Sequence, residues 1–141
     1  MPLGDPNGGL FEYTVEGLPE AVFAFTVPVA DMRRALDFYT GTLGFGLLGG
    51  DGPRSYLRRG ECRLILDSSR PAGVDTGVYL RVDSPYNTRR RLIDEGVRFA
   101  SDPERGPLGT SVSIYDPDGN RIWLIEGGAD FRLRTSAGTR W

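Results

Sequence analysis

The sequence predicts an α+β domain built from two successive units, each with the order strand, helix, strand, strand, strand. Two observations carry this prediction. Apolar runs, helix starts and Gly/Pro turns return in the same order in the second half, and the helix caps Asp31 and Ser84 coincide at an offset of 53 residues. Within each unit, apolar residues also change from strand spacing to helical spacing and back. The eight strands and two helices suggest two sheets that curl around a shared cleft.

The first unit begins with a run of β-branched and aromatic residues at 22–29, which predicts a strand. Pro28 has no backbone N–H group, so we expect it near a strand end or a sheet edge. Asp31 is a good N-cap, and apolar side chains at helical spacing then continue to Leu43, where a glycine ends the helix. Three short strands are predicted after it, at residues 45–48, 55–58 and 62–66.

The second unit follows a hydrophilic connector at residues 67–75. Residues 77–82 predict its first strand, and Ser84 with Pro85 forms a helix start, with serine as N-cap and proline at the first helical position. The helix is expected to run to about Glu95. Three more strands are predicted at residues 97–100, 111–115 and 121–125, the last two joined by the turn Asp116-Pro117-Asp118-Gly119-Asn120.

These units set the domain boundaries. Residues 1–20 are predicted to be an N-terminal extension, flexible in part, in which residues 10–15 can form a short strand. A single domain follows at residues 21–128, with module one at about 21–67 and module two at about 76–128. Residues 129–141 are predicted to be a C-terminal tail that either crosses to a partner subunit or is disordered.

The composition excludes several kinds of chemistry. The chain has no histidine, and all 17 basic residues are arginine. Ser-His-Asp and Cys-His catalysis cannot occur within it, nor can a metal site that needs an imidazole. The single Cys62 cannot form an internal disulfide. A net charge of −2, no apolar run of membrane-spanning length and no visible signal peptide predict a cytoplasmic protein without nucleic-acid or membrane partners.

Motifs in both units resemble the vicinal oxygen chelate superfamily, also called the glyoxalase/bleomycin-resistance/dioxygenase group. The resemblance covers residues 21–128. It implies paired βαβββ modules that form a cup-shaped curved sheet, usually with dimerisation, so a homodimer is expected. The residues that carry it are, in chain order, Val27-Pro28-Val29-Ala30-Asp31, Ala35-Leu36-Asp37-Phe38-Tyr39, Leu43-Gly44-Phe45, Leu80-Arg81-Val82-Asp83 and Tyr115-Asp116-Pro117-Asp118-Gly119-Asn120-Arg121-Ile122-Trp123-Leu124.

In metal-dependent members of this superfamily, four ligands, typically His or Glu, come from the first and last strands of each module. Motif matching places these positions at Ala24, Leu64, Gly77 and Trp123, with Ile65 as the other choice of register for Leu64. None of these side chains coordinates a metal. No metal and no cofactor is therefore expected, which argues against glyoxalase I, extradiol dioxygenase, thiol-transfer fosfomycin resistance and metal-dependent epimerase activity.

If the superfamily's orientation holds, side chains two apart on the ligand strands share the pocket face. The set expected on that face is Ala24, Thr26, Pro28, Cys62, Leu64, Leu66, Gly77, Tyr79, Arg81, Arg121, Trp123 and Ile125. Ligand contacts are predicted for Thr26, Cys62, Leu64, Tyr79, Arg81, Arg121 and Trp123, and no residue is predicted to be catalytic. Two aromatic faces and two forked arginine donors suit a planar or aromatic molecule, for instance one with a carboxylate or a phenolate.

The sequence leaves alternatives open. Trp123 and Tyr79 can equally be aromatic residues of the core. For Cys62, the favoured interpretation is a small residue that fills space in the core. The preferred function is a small-molecule binding protein that sequesters an aromatic or planar natural product or antibiotic. The second is a metal-independent isomerase, cyclase or lyase, whose candidate acid or base is Tyr79, Cys62 or a carboxylate; the nearest, Asp67 and Glu126, are expected to point away from the pocket. The third is a metalloenzyme with displaced ligands, such as Asp67, Asp116 or Asp118.

Overall fold

Each half of the chain folds in the predicted order, as seen in a computed structural model that describes residues 16–127. The predicted strand at 10–15 and the tail at 129–141 lie outside the described residues. The first unit contains β1 (Phe25–Pro28), α1 (Met32–Leu36) continuing as a π-helical segment (Asp37–Thr42), β2 (Gly46–Asp51), β3 (Arg54–Arg59) and β4 (Cys62–Asp67). The second contains β5 (Asp75–Arg81), α2 (Pro85–Asp94), β6 (Arg98–Phe99), β7 (Glu104–Gly106), β8 (Gly109–Tyr115) and β9 (Arg121–Ile125).

The described strands form two mixed sheets, which agrees with the predicted α+β class. The first sheet has the order β1-β4-β3-β2, and β1 runs parallel to β4. The second has the order β5-β9-β8-β6, with β5 parallel to β9 and β7 paired to β8. The first strand of each unit therefore lies at a sheet edge beside the last strand of the same unit. Strand β7 was not predicted, because its residues include no apolar side chain.

Both helices begin where the capping residues predict. Asp31 and Ser84 each accept a hydrogen bond from the backbone N–H three residues on, at 3.1 and 3.2 Å. The first helix then widens, because the N–H of Leu43 donates to the carbonyl of Phe38, five residues earlier, at 3.0 Å. Apolar spacing did not predict this change of helix type. None of the helices in the described part of the chain has the length and hydropathy that a membrane crossing requires.

One hydrophobic core joins the two units, and both sheets and both helices contribute to it. Side chains that alternate with core residues along β9, such as Trp123, are only partly buried. Since strand side chains alternate between faces, each sheet has a core face and an opposite face, here called the open face. The buried core members are Val27, Val29, Ala35, Tyr39, Phe45, Leu57, Leu64, Leu66, Leu92, Val112, Ile114, Ile122 and Leu124.

A buried hydrogen-bond network fixes the first unit to the β8–β9 turn. The Asp116 carboxylate accepts the Tyr39 hydroxyl at 2.7 Å and the side-chain amide of Asn120 at 2.9 Å. The same amide donates to the backbone carbonyl of Pro28 at 2.6 Å. Burial, followed by the charge of Asp116, raises the pKa of Tyr39 well above its usual value, so the phenol stays a neutral donor. The turn that carries the superfamily resemblance is thus a structural junction.

Candidate functional site

Aromatic and polar side chains from neighbouring strands lie together on the open face of the second sheet. Tyr79 pairs with Trp123 across β5 and β9, and Trp123 pairs with Ser113 across β9 and β8, so these three side chains share that face. The rings of Tyr79 and Trp123 stack, with centroids 5.4 Å apart and an interplanar angle of 19°. Such a geometry lies within the range of favourable aromatic pairs.

Arg121 covers the other side of the indole. Its guanidinium carbon lies 4.4 Å from the ring centroid of Trp123, and its Nε donates to Ser113 Oγ at 3.0 Å. Ser113 Oγ is in turn 3.0 Å from Ser101 Oγ. Arg121 is on β9 itself, but its guanidinium reaches Ser113 on β8, whereas Tyr79 is on β5, the neighbour on the other side of β9. We therefore infer that Arg121 and Tyr79 flank Trp123 from opposite sides. We call Tyr79, Trp123 and Arg121 the aromatic row.

The indole edge is also held. Trp123 Nε1 donates to Asp75 Oδ1 at 3.3 Å, and the same oxygen accepts the backbone N–H of Gly77 at 3.1 Å. Between Asp75 and Tyr79 strand β5 bulges, because these partners are four positions apart on β5 while Arg121 and Trp123 are two positions apart on β9. Gly77 has a φ of +71°, which glycine adopts readily and other residues adopt at a cost. The glycine at a superfamily ligand position is thus explained locally by the bulge.

Arg81 lies at the end of β5, two residues beyond Tyr79 and opposite Ile125, so its position belongs to the same open face. Its side chain is exposed and runs past Gly127, where an added Cβ would lie 3.8 Å from Arg81 Cγ. Four of the residues predicted to contact ligand, Tyr79, Arg81, Trp123 and Arg121, are therefore on one face of the second sheet. Tyr79 and Arg121 are the two ends of the aromatic row.

The predicted pocket face of the first sheet is wrong at Leu64. In the parallel register of β1 and β4, Thr26 lies beside Ile65 and Phe25 beside Leu64. Leu64 is 1% exposed and belongs to the core, so it does not share a face with Thr26. Ile65, the other register, takes the open-face position. The three successive apolar residues from Leu64 to Leu66 have no alternation from which the face could be identified.

Cys62 and Leu66 follow Leu64 onto the core face because strand side chains alternate. Cys62 is half-buried, and burial raises the pKa of its thiol. It fits the alternative of a small core filler better than a pocket residue. Pro28, also expected on the pocket face, is buried at the last position of β1.

Sequence reasoning missed several open-face residues. Across β3 and β4, Tyr56 pairs with Ile65 and Arg58 with Arg63, which sets all four on the open face of the first sheet. The sequence alone left the orientation of Tyr56 and Arg58 undecided. In the second sheet, the guanidinium carbon of Arg98 lies 4.6 Å from the ring centroid of its strand partner, a tyrosine at the end of β8. The alternation Ser111, Ser113, Tyr115 in β8 is the signal that could have identified this face.

The described residues do not fit a metal at the superfamily's ligand positions. Ala24, Ile65 and Gly77 have no donor atom, and the indole N–H of Trp123 already donates to Asp75. No group of three or more His, Cys, Asp or Glu side chains able to hold a metal occurs within residues 16–127. The alternative metal site with Asp116 or Asp118 as a displaced ligand therefore also has no cluster of metal-binding side chains among these residues.

Asp67 also has other partners. Its position on β4 has the parity of Ile65, so the expectation that it points away from the open face is wrong. Its carboxylate accepts the hydroxyl and the N–H of Ser69 at 2.6 and 2.8 Å, and Arg54 and Arg70 lie 3.5 and 3.7 Å away. These hydrogen bonds, helped by the arginines, lower the pKa of Asp67. It is therefore an ionised anchor for the chain after β4.

A groove of about 830 Å³ lies between the two units on the helix side, away from the aromatic row. At the offset of 53 residues Leu92, which lines this groove, corresponds to Tyr39, and a leucine side chain cannot form the hydrogen bond that Tyr39 makes to Asp116. Of the residues predicted to contact ligand, only Cys62 and Arg81 line it. Its lining also includes Leu43, Phe45, Arg59, Leu80, Asp83, Asn87 and Leu124.

Comparison with known proteins identifies relatives of this fold. No curated protein matches the sequence. A solved structure of TnmS3, an antibiotic binding protein from Streptomyces sp. CB03234, is 30% identical, covers 81% of this chain and all of its own, and superposes with a TM-score of 0.68. A glyoxalase/bleomycin resistance protein from the same strain is 33% identical over 73% of this chain and 97% of its own, with a TM-score of 0.60.

A third structure shares the fold alone. The bleomycin-binding protein from bleomycin-producing Streptomyces verticillus, solved with copper(II)-bleomycin, is 21% identical over 79% of this chain and all of its own, with a TM-score of 0.64. A family model also matches residues 21–124, which is most of the chain. The chain belongs to the Glyoxalase/Bleomycin resistance protein/Dioxygenase superfamily.

Proposed function

We propose that this protein binds an aromatic or planar natural product or antibiotic on its open faces and sequesters it without a metal. The observation that carries the proposal is the stacked pair of Tyr79 and Trp123 on the open face, where Tyr79 is half-exposed. The similarity to TnmS3, an antibiotic binding protein, supports the same class of ligand.

The physical basis is aromatic stacking with a charged rim. Tyr79 is 51% exposed, so its ring is accessible for stacking with a ligand. A single aromatic contact contributes about 0.5–1.5 kcal/mol beyond the burial of its area. Arg81, two residues beyond Tyr79 on β5, adds a planar guanidinium group, which binds carboxylate or phenolate oxygens in a defined geometry. Sequestration needs only such complementarity, so the absence of metal donors at Ala24, Ile65 and Gly77 is compatible with it.

The same proposal includes a homodimer in the cytoplasm. The open face of the first sheet also has aromatic, apolar and basic side chains, among them Tyr56, Arg63 and Ile65. Phe23 lies beside it, 73% exposed, with its ring centroid 4.5 Å from the Arg63 guanidinium carbon. A second copy whose first sheet covers the aromatic row would bury these side chains and enclose a ligand between them. The half-buried thiol of Cys62 is compatible with a reducing compartment.

The enzyme alternative has less support. Two of its candidate groups have other roles, because Cys62 lies on the core face with a raised pKa and Asp67 is held by Ser69 with a lowered one. Glu126 follows β9 with the parity opposite to Trp123. Tyr79 is the remaining candidate, and its ring is stacked on the Trp123 indole.

Ligand titration tests the proposed function. A panel of planar aromatic antibiotics is titrated while tryptophan fluorescence is recorded in a Trp141→Phe background, which leaves Trp123 as the only tryptophan. At least one compound is expected to bind with a Kd below about 100 μM, corresponding to roughly −5.5 kcal/mol. Added chelator is expected to leave that Kd unchanged. A panel without any such binder contradicts the proposal, and a chelator-sensitive Kd contradicts its metal independence.

A further inference from the structure

We infer that Tyr79, and not Trp123, supplies the surface on which an aromatic ligand stacks, and that Trp123 and Arg121 are positioning residues behind it. The inference deepens the proposed function and rests on it. Specificity for flat molecules would then come from Tyr79 and not from Trp123. Without the structure, the larger indole is the natural first choice.

Trp123 is occupied on every side that matters for stacking. One indole face lies against Tyr79, the other lies beneath the guanidinium of Arg121, and the N–H donates to Asp75. A flat ligand reaches an indole face only after it displaces one of these neighbours. Displacement of Arg121 would also break its hydrogen bond to Ser113.

One face of the Tyr79 ring is turned away from Trp123. Strand β5 is an edge strand of the second sheet, so no described strand is hydrogen-bonded to it on the side away from β9 and Trp123. The ring is still 51% exposed although its inner face is stacked on the indole. Because the face toward Trp123 is stacked, we infer that the outer face of the ring is accessible to a ligand. A planar ligand placed there extends the order Arg121, Trp123, Tyr79 by one more layer.

The other two members of the aromatic row hold the Tyr79 ring in one orientation before a ligand binds. A guanidinium over an indole contributes about 0.5–1 kcal/mol at an exposed site, and here Ser113 and Ser101 hold the guanidinium in place. The fixed indole then fixes the phenol ring by stacking. A binding surface that is already ordered loses less conformational entropy when the ligand binds. Arg121 and Trp123 thus act on affinity through Tyr79.

The ligand class follows from the contact. A half-exposed phenol ring offers a flat surface, and stacking on it favours molecules with a flat face of their own. We expect fused aromatic rings to bind more tightly than saturated cages of similar size. Anthracene-9-carboxylate is a suitable flat probe, and adamantane-1-carboxylate is its saturated counterpart with the same charged group.

Three variants in the Trp141→Phe background test the assignment with these probes. Isothermal titration calorimetry measures each Kd, because Trp123→Phe in this background leaves no tryptophan for fluorescence. Tyr79→Phe keeps the ring and is expected to hold the Kd for anthracene-9-carboxylate within about twofold. Tyr79→Leu keeps the indole covered without a ring and is expected to weaken binding about tenfold, the upper range for one aromatic contact. Trp123→Phe keeps a ring behind Tyr79 and is expected to weaken it only about threefold. Adamantane-1-carboxylate is expected to bind more weakly than the flat probe and to distinguish the variants less.

The opposite assignment gives opposite results. If the ligand stacked on Trp123, Tyr79→Leu would hold or improve affinity because it reduces competition for the indole face, and Trp123→Phe would be the more damaging change. That outcome overturns the inference while the proposed function stands. If no flat probe binds the parent protein, the proposed function fails for this ligand class, and the inference fails with it.

Fluorine NMR provides a direct readout of the contact. In protein labelled with 3-fluorotyrosine, the resonance that disappears in Tyr79→Phe is that of Tyr79. Anthracene-9-carboxylate is expected to shift this resonance more than the resonance of Trp123 in a 5-fluorotryptophan sample. A larger shift at Trp123 overturns the inference. Thermal unfolding of each variant verifies that the affinity changes are measured on folded protein.

Discussion

The hydroxyl of Tyr39 donates a 2.7 Å hydrogen bond to Asp116, which lies 77 positions later in the chain. This bond joins the first helical segment to the turn between β8 and β9, and both residues are buried. Through the same turn, Asn120 reaches the backbone of Pro28. The most recognisable motif of the sequence therefore stabilises the contact between the two units.

Replacement of Tyr39 by phenylalanine tests this contact. The variant leaves a buried carboxylate without one of its donors, which costs about 1–3 kcal/mol in the free energy of unfolding. Urea denaturation followed by circular dichroism measures the change. The dependence of the free energy of unfolding on urea concentration is expected to be the same for both proteins. Tyr86→Phe is the matched control, since Tyr86 is exposed and its change is expected to stay within about 0.5 kcal/mol. Equal effects of the two variants would contradict the role of the junction.

Acid stability reports on Asp67. Hydrogen bonds from Ser69 lower its pKa in the folded state, so its contribution is fully present above the usual aspartate pKa of about 4 and is lost as the pH falls through the lower folded value. Stability of the parent protein is therefore expected to fall below about pH 4 more steeply than that of Asp67→Asn. Thermal unfolding between pH 2 and pH 6 measures both curves. If the stability of the two proteins depended on pH in the same way, Asp67 would have the same pKa in the folded and unfolded states, and the prediction would be wrong.

The bulge at Gly77 offers a test of backbone conformation. Gly77→Ala is expected to destabilise the fold by about 1–2 kcal/mol, because alanine disfavours a positive φ. Gly41→Ala is the matched control: an added Cβ meets nothing within 4 Å at either position, but Gly41 has no positive φ. It is expected to be neutral or slightly stabilising. Equal melting temperatures for the two variants would contradict a strained bulge.

The reactivity of Cys62 follows from its burial. Since the thiolate is the reactive form and burial raises the pKa of this thiol, alkylation by iodoacetamide at pH 7.5 is expected to be slower than for a small model thiol. The rate is expected to keep rising as the pH increases beyond 9. Mass spectrometry of timed samples measures it, and denatured protein is the control. A folded protein that reacts as fast as the model thiol would contradict the core-face placement.

The sequence by itself determined the features that depend on neighbours along the chain. The caps Asp31 and Ser84, the proline at the end of β1 and the repeated order of elements are local, because a side chain there bonds or constrains the backbone within a few residues. Strand periodicity together with the superfamily's orientation led to the expectation that Tyr79, Trp123 and Arg121 share one face, and the strand pairing places them there. The local rules were sufficient for the α+β class, whereas the aromatic part of the candidate site also required the resemblance.

Only the tertiary structure decided what depends on strand pairing and packing between distant residues. Leu64 and Ile65 are both apolar, so their faces were decided by the register against β1 and not by their own chemistry. The flanking of Trp123 by Tyr79 and Arg121 required the order of three strands, which no spacing in the sequence contains. The bond between Tyr39 and Asp116 likewise forms only when the two units pack, because the folding of the whole chain brings those residues together.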